Sequence, residues 1–289
     1  PPDAVLYLGD RYEVLPISEA ALHARIPTIH LCGGETSEGA ADELIRHALT
    51  KLSTFHFPEA EPYRERILQM GEDPERVFFC GSPGVENVMA LADADLSDFP
   101  FSTDEPYFLV TFHPETLAGP EASLQQQAEL LMALDNVNVQ LIFTGVNADE
   151  GGQRLQQALE AWAKPRENTF LYDSLGVERY ITLMRGAEAV VGNSSSGIIE
   201  APACGVPTIN VGERQKGRLM TPSILSVPAE HEAIEAALER IKDPAWRKRW
   251  ENLPNPYYKP HASQNILQTI KEQFSHGPIS LQKPFHLYP

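Results

Sequence analysis

Three consecutive serines lie between an apolar run and a short helical pattern in the second half of the chain. Ser194–Ser196 follow Ala187–Val191 and precede Gly197 and the pattern at Ile198–Cys204. Hydroxyl groups and the free N–H groups of a helix N-terminus bind anions, and a strand, polar turn and helix in succession are typical of a nucleotide site. The turn is therefore predicted to bind a diphosphate, although serine before a helix also occurs as an ordinary N-cap.

Further charged residues accompany this turn. Glu200 lies one turn into the helical pattern, and Arg214, Lys216 and Arg218 follow the next apolar run. Cations after that strand could join the anion site, because the carboxyl ends of parallel strands share one edge of a sheet. The chain contains neither a Walker lysine motif nor a GxGxxG fingerprint, so neither a P-loop nor a dinucleotide site is predicted.

A second group of polar residues follows predicted strands in the first half. Glu35 comes after a Gly-Gly turn, where glycine lets the backbone approach a ligand, so this carboxylate is a candidate for proton transfer. Asp10 and Arg11 follow the first strand. Asp42 and Arg46 share a helical face four residues apart, and their spacing alone favours a structural ion pair over a functional one.

Histidines and one polar loop complete the candidates. His113 ends a strand, and a structural and a functional role are equally favoured for it. Asn147 and Asp149 follow another strand in a loop whose default role is turn formation. His30 and His47 lack the tight spacing of zinc ligands, so we interpret them as core or hydrogen-bonding residues and predict no metal site.

The composition describes an acidic chain long enough for about two domains. Its 289 residues are 42% hydrophobic, which allows a large buried core. The net charge of −17 argues against a nucleic-acid or anionic-membrane partner, because phosphate groups require a basic face. Cys32, Cys80 and Cys204 are an odd, scattered set that favours reduced thiols in the cytoplasm.

Short apolar runs alternating with helical patterns predict the elements that position these residues. The predicted strands are 5–8, 27–31, 54–57, 77–80, 107–111, 139–143, 169–172, 187–191, 206–211 and 224–227. The predicted helices are 17–24, 42–52, 62–70, 124–134, 153–162, 177–184, 198–204, 231–242 and 262–274. This βαβ rhythm indicates parallel sheets with ligands at the carboxyl ends of the strands.

The acidic, proline-bearing segment 92–106 is predicted to link two domains. We therefore expect an α/β fold with two Rossmann-like domains, residues 1–95 and 104–255, facing a cleft. The helix and tail in residues 256–289 are expected to pack back on the first domain. Because the chain starts directly in a predicted buried strand, we also expect residues upstream of it in the N-terminal domain.

Seven segments resemble the UDP-N-acetylglucosamine 2-epimerase family in its hydrolysing branch. They are GDRYE at 9–13, GGETSEGAADELIRHALTKLS at 33–53, MGEDPERV at 70–77, GSP at 81–83, FHPET at 112–116, NAD at 147–149 and GNSSSGIIEAPACGVPTINVGERQKGR at 192–218. The resemblance implies a glycosyltransferase-B-like fold in which UDP binds mainly to the second domain and the sugar lies in the cleft.

The resemblance also implies roles for individual residues. Ser194 and Ser195 match serines that hold the diphosphate, Glu200 matches the acid on the ribose hydroxyls, and uracil is expected near Ser174–Val177. The residues that we expect to bind the substrate are Asn147, Ser174, Ser194, Ser195, Ser196, Gly197, Glu200 and Arg214. The residues that we expect near the reacting sugar are Asp10, Arg11, Glu35, Asp42, Arg46 and His113.

Cys32 departs from the family pattern, which has glutamate at the corresponding position. A thiol, with a reference pKa of ~8.5, cannot simply replace a carboxylate, with one of ~4.3, as an acid or base. Either Glu35 takes over this proton transfer or the chemistry is tuned to another substrate.

From the resemblance we expect a cytoplasmic hydrolysing 2-epimerase, a homodimer or homotetramer, that needs no cofactor. It would convert UDP-GlcNAc and water into N-acetylmannosamine and UDP, for sialic-acid-type sugars, by anti elimination and hydration of the glycal. Three alternatives stay open: the same reaction on a UDP-2,4-diacetamido-trideoxy sugar of the legionaminic-acid type, a glycosyltransferase of the same fold, and a nucleotide-sugar-binding module without catalysis.

Overall fold

The computed structural model describes residues 1–288, which form two compact units. Unit 1 contains Pro1–Ser37, Ala41–Glu86 and the described residues from Pro256 onward. Unit 2 contains Glu38–Ala40 and Asn87–Asn255.

Both units are built from parallel strands that alternate with helices. In chain order the strands are β1 (Val5–Leu8), β2 (Thr28–Leu31), β3 (Phe55–Phe57), β4 (Tyr107–Thr111), β5 (Gln140–Thr144), β6 (Thr169–Tyr172), β7 (Ala189–Gly192), β8 (Thr208–Val211) and β9 (Ile224–Val227). The helices are α1 (Val14–His23), α2 (Asp42–Leu52), α3 (Glu61–Gln69), α4 (Pro83–Ala90), α5 (Pro120–Leu134), α6 (Gly152–Ala163), α7 (Val177–Gly186), α8 (Ser196–Ile199), α9 (His231–Arg240), α10 (Pro244–Arg247) and α11 (Ala262–Ser275).

The sheet of unit 1 has the strand order β1-β2-β3. β2 is the central strand and is buried along its whole length, so its apolar run has no exposed face. Ile29 and Phe55, which are partners in the β2–β3 register, lie in a core cluster with Ile266 of α11. The last helix of the chain thus supplies apolar side chains to the core of unit 1.

The sheet of unit 2 has the strand order β6-β5-β4-β7-β8-β9. Alternate residues of β4 enter opposite core clusters: Phe108 and Val110 pack with side chains of α5 and α9, and Leu109 packs with side chains of α7. The chain proceeds outward from β4 on one side and continues at β7 on the other. This change of direction is a topological switch point, where open α/β sheets bind their ligands.

The predicted α/β class with parallel sheets is confirmed, but two predicted elements are wrong in detail. Residues 77–80 do not form a strand: Val77 makes one isolated bridge to His56, and the carbonyl of Phe79 accepts a hydrogen bond from Lys259 Nζ at 3.0 Å. Residues 198–204 are not one helix, because α8 ends at Ile199 and a 3₁₀ turn occupies Ala201–Cys204. α4, which the sequence patterns missed, begins with Pro83.

A buried carboxylate binds the C-terminal tail to the rest of unit 1. Glu72, with 2% of its surface exposed, contacts Lys51 Nζ at 2.6 Å, Lys283 Nζ at 2.6 Å and His56 Nε2 at 3.0 Å. Lys283 also donates hydrogen bonds to the carbonyls of Thr50 and Lys51 at the end of α2, where helix carbonyls lack partners. Burial opposes ionisation of Glu72, but the hydrogen bond from His56 and the lysines bring its pKa to about 2.

Replacing Glu72 should remove a pH-dependent part of the stability. The folded-state pKa lies below the ordinary value of 4.5, so the carboxylate stabilises the fold above about pH 5 and loses this effect as the pH falls toward 2. We expect Glu72→Gln to lower the free energy of unfolding by about 3 kcal/mol at pH 7. Urea unfolding followed by circular dichroism between pH 7 and pH 3 measures this difference, which should shrink with acid.

Glu61→Gln is the matched control, because Glu61 forms an exposed ion pair with Arg64. It should change the free energy of unfolding by less than about 1 kcal/mol at every pH. Equal effects of the two substitutions would show that the Glu72 contacts contribute little.

Candidate nucleotide site and carboxylate cluster

Unit 2 contains a cavity of about 360 Å³ at the carboxyl ends of four adjacent strands. Its walls come from the loops after β4, β5, β6 and β7 and from the start of α7. They are formed by Thr111, His113, Thr144, Gly145, Asp173, Ser174, Leu175, Gly176, Val177, Tyr180, Ser194 and Ser196. The cavity therefore lies at the switch point of the sheet, with hydroxyl and backbone groups converging on it.

Four of the residues that the sequence analysis expects to bind the substrate or to lie near the reacting sugar line this cavity. They are His113, Ser174, Ser194 and Ser196. The other residues predicted for unit 2 lie outside its wall and are Asn147, Ser195, Gly197, Glu200 and Arg214. Lys216, a predicted cationic donor, forms an exposed ion pair with Glu213 at 2.7 Å. The structure thus brings part of the predicted set to one cavity, and the binding roles of these residues stay predictions.

The serine turn caps α8 through Ser194 and not through the residue directly before the helix. Ser195 is the residue before α8, yet its side chain makes no capping hydrogen bond. Ser194 Oγ accepts the backbone N–H of Ser196 at 3.4 Å and the hydroxyl of Ser196 at 3.0 Å. α8 is only one turn long, so its dipole is smaller than the sequence predicted, and the hydroxyls are the main polar groups of the turn.

Tyr180 supports this turn from α7, and no motif in the sequence indicated it. Its hydroxyl is 2.6 Å from Ser196 Oγ. Burial raises the pKa of Tyr180 to about 12, so the phenol stays neutral and can donate a hydrogen bond at physiological pH. The side chain lines the cavity with its hydroxyl committed to the serine turn.

Asn193 joins the loops after β4 and β7. The side chain is fully buried; its Oδ1 accepts the backbone N–H of His113 at 2.7 Å, and its Nδ2 donates to the His113 carbonyl at 2.8 Å. The ring of His113 is held in turn by the backbone N–H of Asn147, which donates to Nδ1 at 3.2 Å. Since Nδ1 accepts this bond, the neutral ring carries its proton on Nε2.

Arg214 is connected to the same turn. Its Nη1 donates to the backbone carbonyl of Asn193 at 3.2 Å, and Gln215 Nε2 donates to that carbonyl at 2.8 Å. The loops after β4, β7 and β8 are therefore linked by hydrogen bonds around one residue, Asn193.

Unit 1 contains the second group of predicted residues, and two of them, Asp10 and Glu35, contact the buried guanidinium of Arg46. Its Nε donates to Asp10 Oδ2 at 2.9 Å, and its Nη1 donates to Glu43 Oε2 at 2.8 Å and to the carbonyl of Glu35 at 3.1 Å. Nη2 donates to Asp10 and to Ser37 Oγ. The ion-pair partners of Arg46 are therefore Asp10 and Glu43, and not Asp42, the partner that the helical spacing favoured.

The sequence analysis does not include Glu43 among the candidate site residues, although Glu43 precedes Arg46 by three residues and His47 by four on the same helix. Its Oε1 lies 3.0 Å from His47 Nε2, and its Oε2 accepts the backbone N–H of Ser37 at 2.6 Å. Burial opposes ionisation, but the hydrogen bonds from His47 and Ser37 hold the pKa of Glu43 below its usual range. Its spacing at i+3 and i+4 from two basic residues was a usable signal.

The other residues of unit 1 that the sequence analysis discusses lie in different local environments. Glu35 is buried with 3% of its surface exposed, Arg11 forms an ion pair with Glu13 at 3.5 Å, and Asp42 is the first residue of α2. Cys32 has a φ of +64°, in the left-handed region that residues other than glycine rarely adopt. Burial lowers the pKa of His30 to about 4, and its Nε2 contacts the Gly9 carbonyl at 2.8 Å.

The described part of the chain has no cluster of three or more His, Cys, Asp or Glu side chains suited to a metal ion. Within residues 1–288 no helix combines the length and apolar character needed to cross a membrane.

Comparison with known proteins places the chain in a family. Residues 1–271 match the family model described as UDP-N-acetylglucosamine 2-epimerase. The chain belongs to this family.

Two curated relatives are similar over most of the chain. The GDP/UDP-N,N'-diacetylbacillosamine 2-epimerase (hydrolyzing) of Campylobacter jejuni is 40% identical over 253 residues, 86% of this chain and 65% of that protein. The polysialic acid biosynthesis protein P7 of Escherichia coli is 38% identical over 276 residues, 93% of this chain and 70% of that protein. The chain thus spans about two thirds of the length of these relatives.

The fold is also that of a solved family member. The crystal structure of UDP-GlcNAc 2-epimerase from Neisseria meningitidis bound to UDP-GlcNAc aligns with a TM-score of 0.79 and 18% identity, covering 94% of this chain and 76% of that one. The predicted glycosyltransferase-B-like fold is confirmed by this likeness.

Removing the Asn193 side chain should destabilise unit 2. Asn193→Ala leaves two backbone groups of His113 without their partners, which we expect to cost about 2 kcal/mol of unfolding free energy. All three tryptophans, Trp162, Trp246 and Trp250, lie in unit 2, so urea unfolding followed by tryptophan fluorescence reports on this unit. Asn136→Ala, at an exposed position, is the control and should leave the midpoint unchanged; equal midpoints for both variants would contradict the role of Asn193.

Proposed function

We propose that this protein is a hydrolysing nucleotide-sugar 2-epimerase. The observation on which the proposal chiefly depends is the cavity at the switch point of unit 2, with His113 and the serine turn in its wall. The family match over residues 1–271 includes this cavity and the carboxylate cluster of unit 1. The similarity to hydrolysing 2-epimerases favours this function over a glycosyltransferase or a binding module.

In this proposal unit 2 binds the nucleotide. The hydroxyls of Ser194 and Ser196 and the Nε2–H of His113 are suited to phosphate oxygens, because they are hydrogen-bond donors at one edge of the sheet. Glu200 is proposed to accept the ribose hydroxyls, and the loop at Ser174 to contact the base. Arg214 adds positive charge for the departing diphosphate.

The carboxylates of unit 1 are proposed to move the protons. A base removes the proton from C2 of the sugar while the C1–O bond breaks; UDP leaves with that electron pair, and a C1=C2 double bond forms. Water then adds its hydroxyl to C1. C2 receives a new proton on the face opposite to the one from which the first proton was removed, so the configuration at C2 is inverted. Glu35, buried beside Arg46, is the proposed base, and Asp10 and Asp42 are the other candidate acids and bases.

Two sugars are candidate substrates. The name of the Campylobacter jejuni relative favours a 2,4-diacetamido sugar linked to UDP or GDP. The family description favours UDP-N-acetylglucosamine, which would yield N-acetylmannosamine. We propose the diacetamido sugar as the first candidate, because 40% identity to a named relative is more specific than a family description.

Proton NMR in D₂O tests the reaction and the substrate together. The purified protein is incubated separately with UDP-N-acetylglucosamine and with the UDP- and GDP-linked diacetamido sugars. We expect release of the nucleoside diphosphate and a free sugar inverted at C2 that carries deuterium there. Release that requires an acceptor sugar would instead identify a glycosyltransferase, and binding without turnover would identify a binding module.

Substitution of Glu35 tests the proposed base. General acid–base catalysis contributes about 10²–10⁴ to a rate, so Glu35→Gln should lower kcat at least about 100-fold while the affinity for UDP is retained. Glu59→Gln is the control, since Glu59 is also a buried glutamate of unit 1 and accepts a hydrogen bond from Ser82. Full activity of the Glu35 variant would eliminate Glu35 as the base.

A further inference from the structure

Glu115 is a buried carboxylate whose contacts lie in the loop that carries Arg214. It follows β4 in the segment that contains His113, and only 3% of its surface is exposed. Its Oε1 accepts the backbone N–H groups of Glu213 at 2.7 Å and Arg214 at 3.1 Å. One carboxylate oxygen thus binds two consecutive peptide groups, as an anion does in a backbone nest.

The sequence of this loop fits the carboxylate closely. Gly212 has a φ of +82°, and a Cβ atom at this position would lie 2.3 Å from Glu115 Oε1. Only glycine therefore allows both the turn and the close approach. We call residues 212–215 the arginine loop.

The other atoms of Glu115 are also held in place. Its Oε2 accepts from Gln126 Nε2 at 3.0 Å, and its backbone N–H donates to the buried hydroxyl of Ser123 at 3.0 Å. Both partners belong to α5, so the carboxylate is fixed to the body of unit 2. The arginine loop is consequently attached to a rigid helix through one side chain.

The arginine loop is connected to the cavity by hydrogen bonds to Asn193. Arg214 and Gln215 donate to the carbonyl of Asn193, and Asn193 precedes the serine turn and holds the backbone of His113. A change in the backbone of the arginine loop therefore alters the position from which Arg214 reaches the nucleotide site.

We infer that Glu115 is a positioning residue that sets the backbone of the arginine loop and so directs Arg214 toward the nucleotide diphosphate. The inference rests on the proposed nucleotide site in unit 2. Glu115 acts through peptide N–H groups and does not itself contact the diphosphate, since a second anion there would repel it.

The amide isostere separates this role from a catalytic one. In Glu115→Gln the retained oxygen still accepts the two peptide N–H groups. The new amide can donate to Gln126 Oε1 after that side chain flips, because among the described residues Gln126 Oε1 has no hydrogen-bond partner. A positioning role is therefore largely preserved by glutamine and lost with alanine.

A double-mutant cycle measured by calorimetric titration with UDP tests the inference. Glu115→Ala should weaken UDP binding by about tenfold to a hundredfold, because two hydrogen bonds to a charged group are lost. In the Arg214→Ala background the same change should weaken binding less than about twofold, since Glu115 acts through Arg214. Glu115→Gln should keep its dissociation constant for UDP within about threefold of that of the unchanged protein.

Glu129→Ala is the matched control. Glu129 also accepts a backbone N–H in unit 2, that of His231 at the start of α9, at 2.9 Å. It should lower the melting temperature without changing the dissociation constant for UDP.

Additive losses from Glu115→Ala and Arg214→Ala would overturn the inference, as would unchanged UDP binding by the Glu115→Ala protein. If that variant does not fold, a loss of UDP affinity in the folded Glu115→Gln protein equal to that of Arg214→Ala also overturns it. An unchanged protein that binds neither UDP nor GDP contradicts the proposed function itself, which separates the two failures.

Discussion

The carboxamide of Asn193 is the constraint on which the geometry of the unit 2 cavity depends. Loops that leave parallel strands carry backbone groups with no partner in the sheet, and at a ligand site these groups cannot all be left to water. Asn193 satisfies one donor and one acceptor of His113 with a single side chain. Only an amide can do both in this geometry, because aspartate lacks the donor. Around this contact the serine turn, the imidazole and the arginine loop acquire fixed positions.

Much of the fold could be predicted from the sequence, because apolar runs and helical periodicity are local properties. β1, β4, β6, β9 and α2 have the predicted bounds, and most other elements shift by a few residues at their ends. The apolar run at residues 77–80 predicts a strand, but such a run shows only that the side chains are buried. Whether backbone groups pair with a strand or with Lys259 depends on a segment about 180 residues away.

The candidate site also depends on contacts between residues that are far apart in the sequence, and local patterns do not predict such contacts. Loops after strands were predictable places for polar residues, and the serine turn and His113 do line one cavity. No sequence pattern indicates Glu115 or Tyr180, because each acts through a contact that is distant along the chain. Glu115 contacts Glu213, which is 98 positions away, and Tyr180 contacts Ser196, which is 16 positions away. A sequence shows that such residues are polar or aromatic, but only the fold shows which loop they support.

The environment of Arg46 has a consequence for the energetics of proton transfer. Its guanidinium donates to two carboxylates, a hydroxyl and a carbonyl, and the side chain has no exposed surface. These acceptors surround the guanidinium, so Arg46 is already oriented before a neighbouring group gains or loses a proton. A guanidinium held in this way contributes little to the reorganisation energy of a charge that moves beside it, because its dipoles do not have to turn.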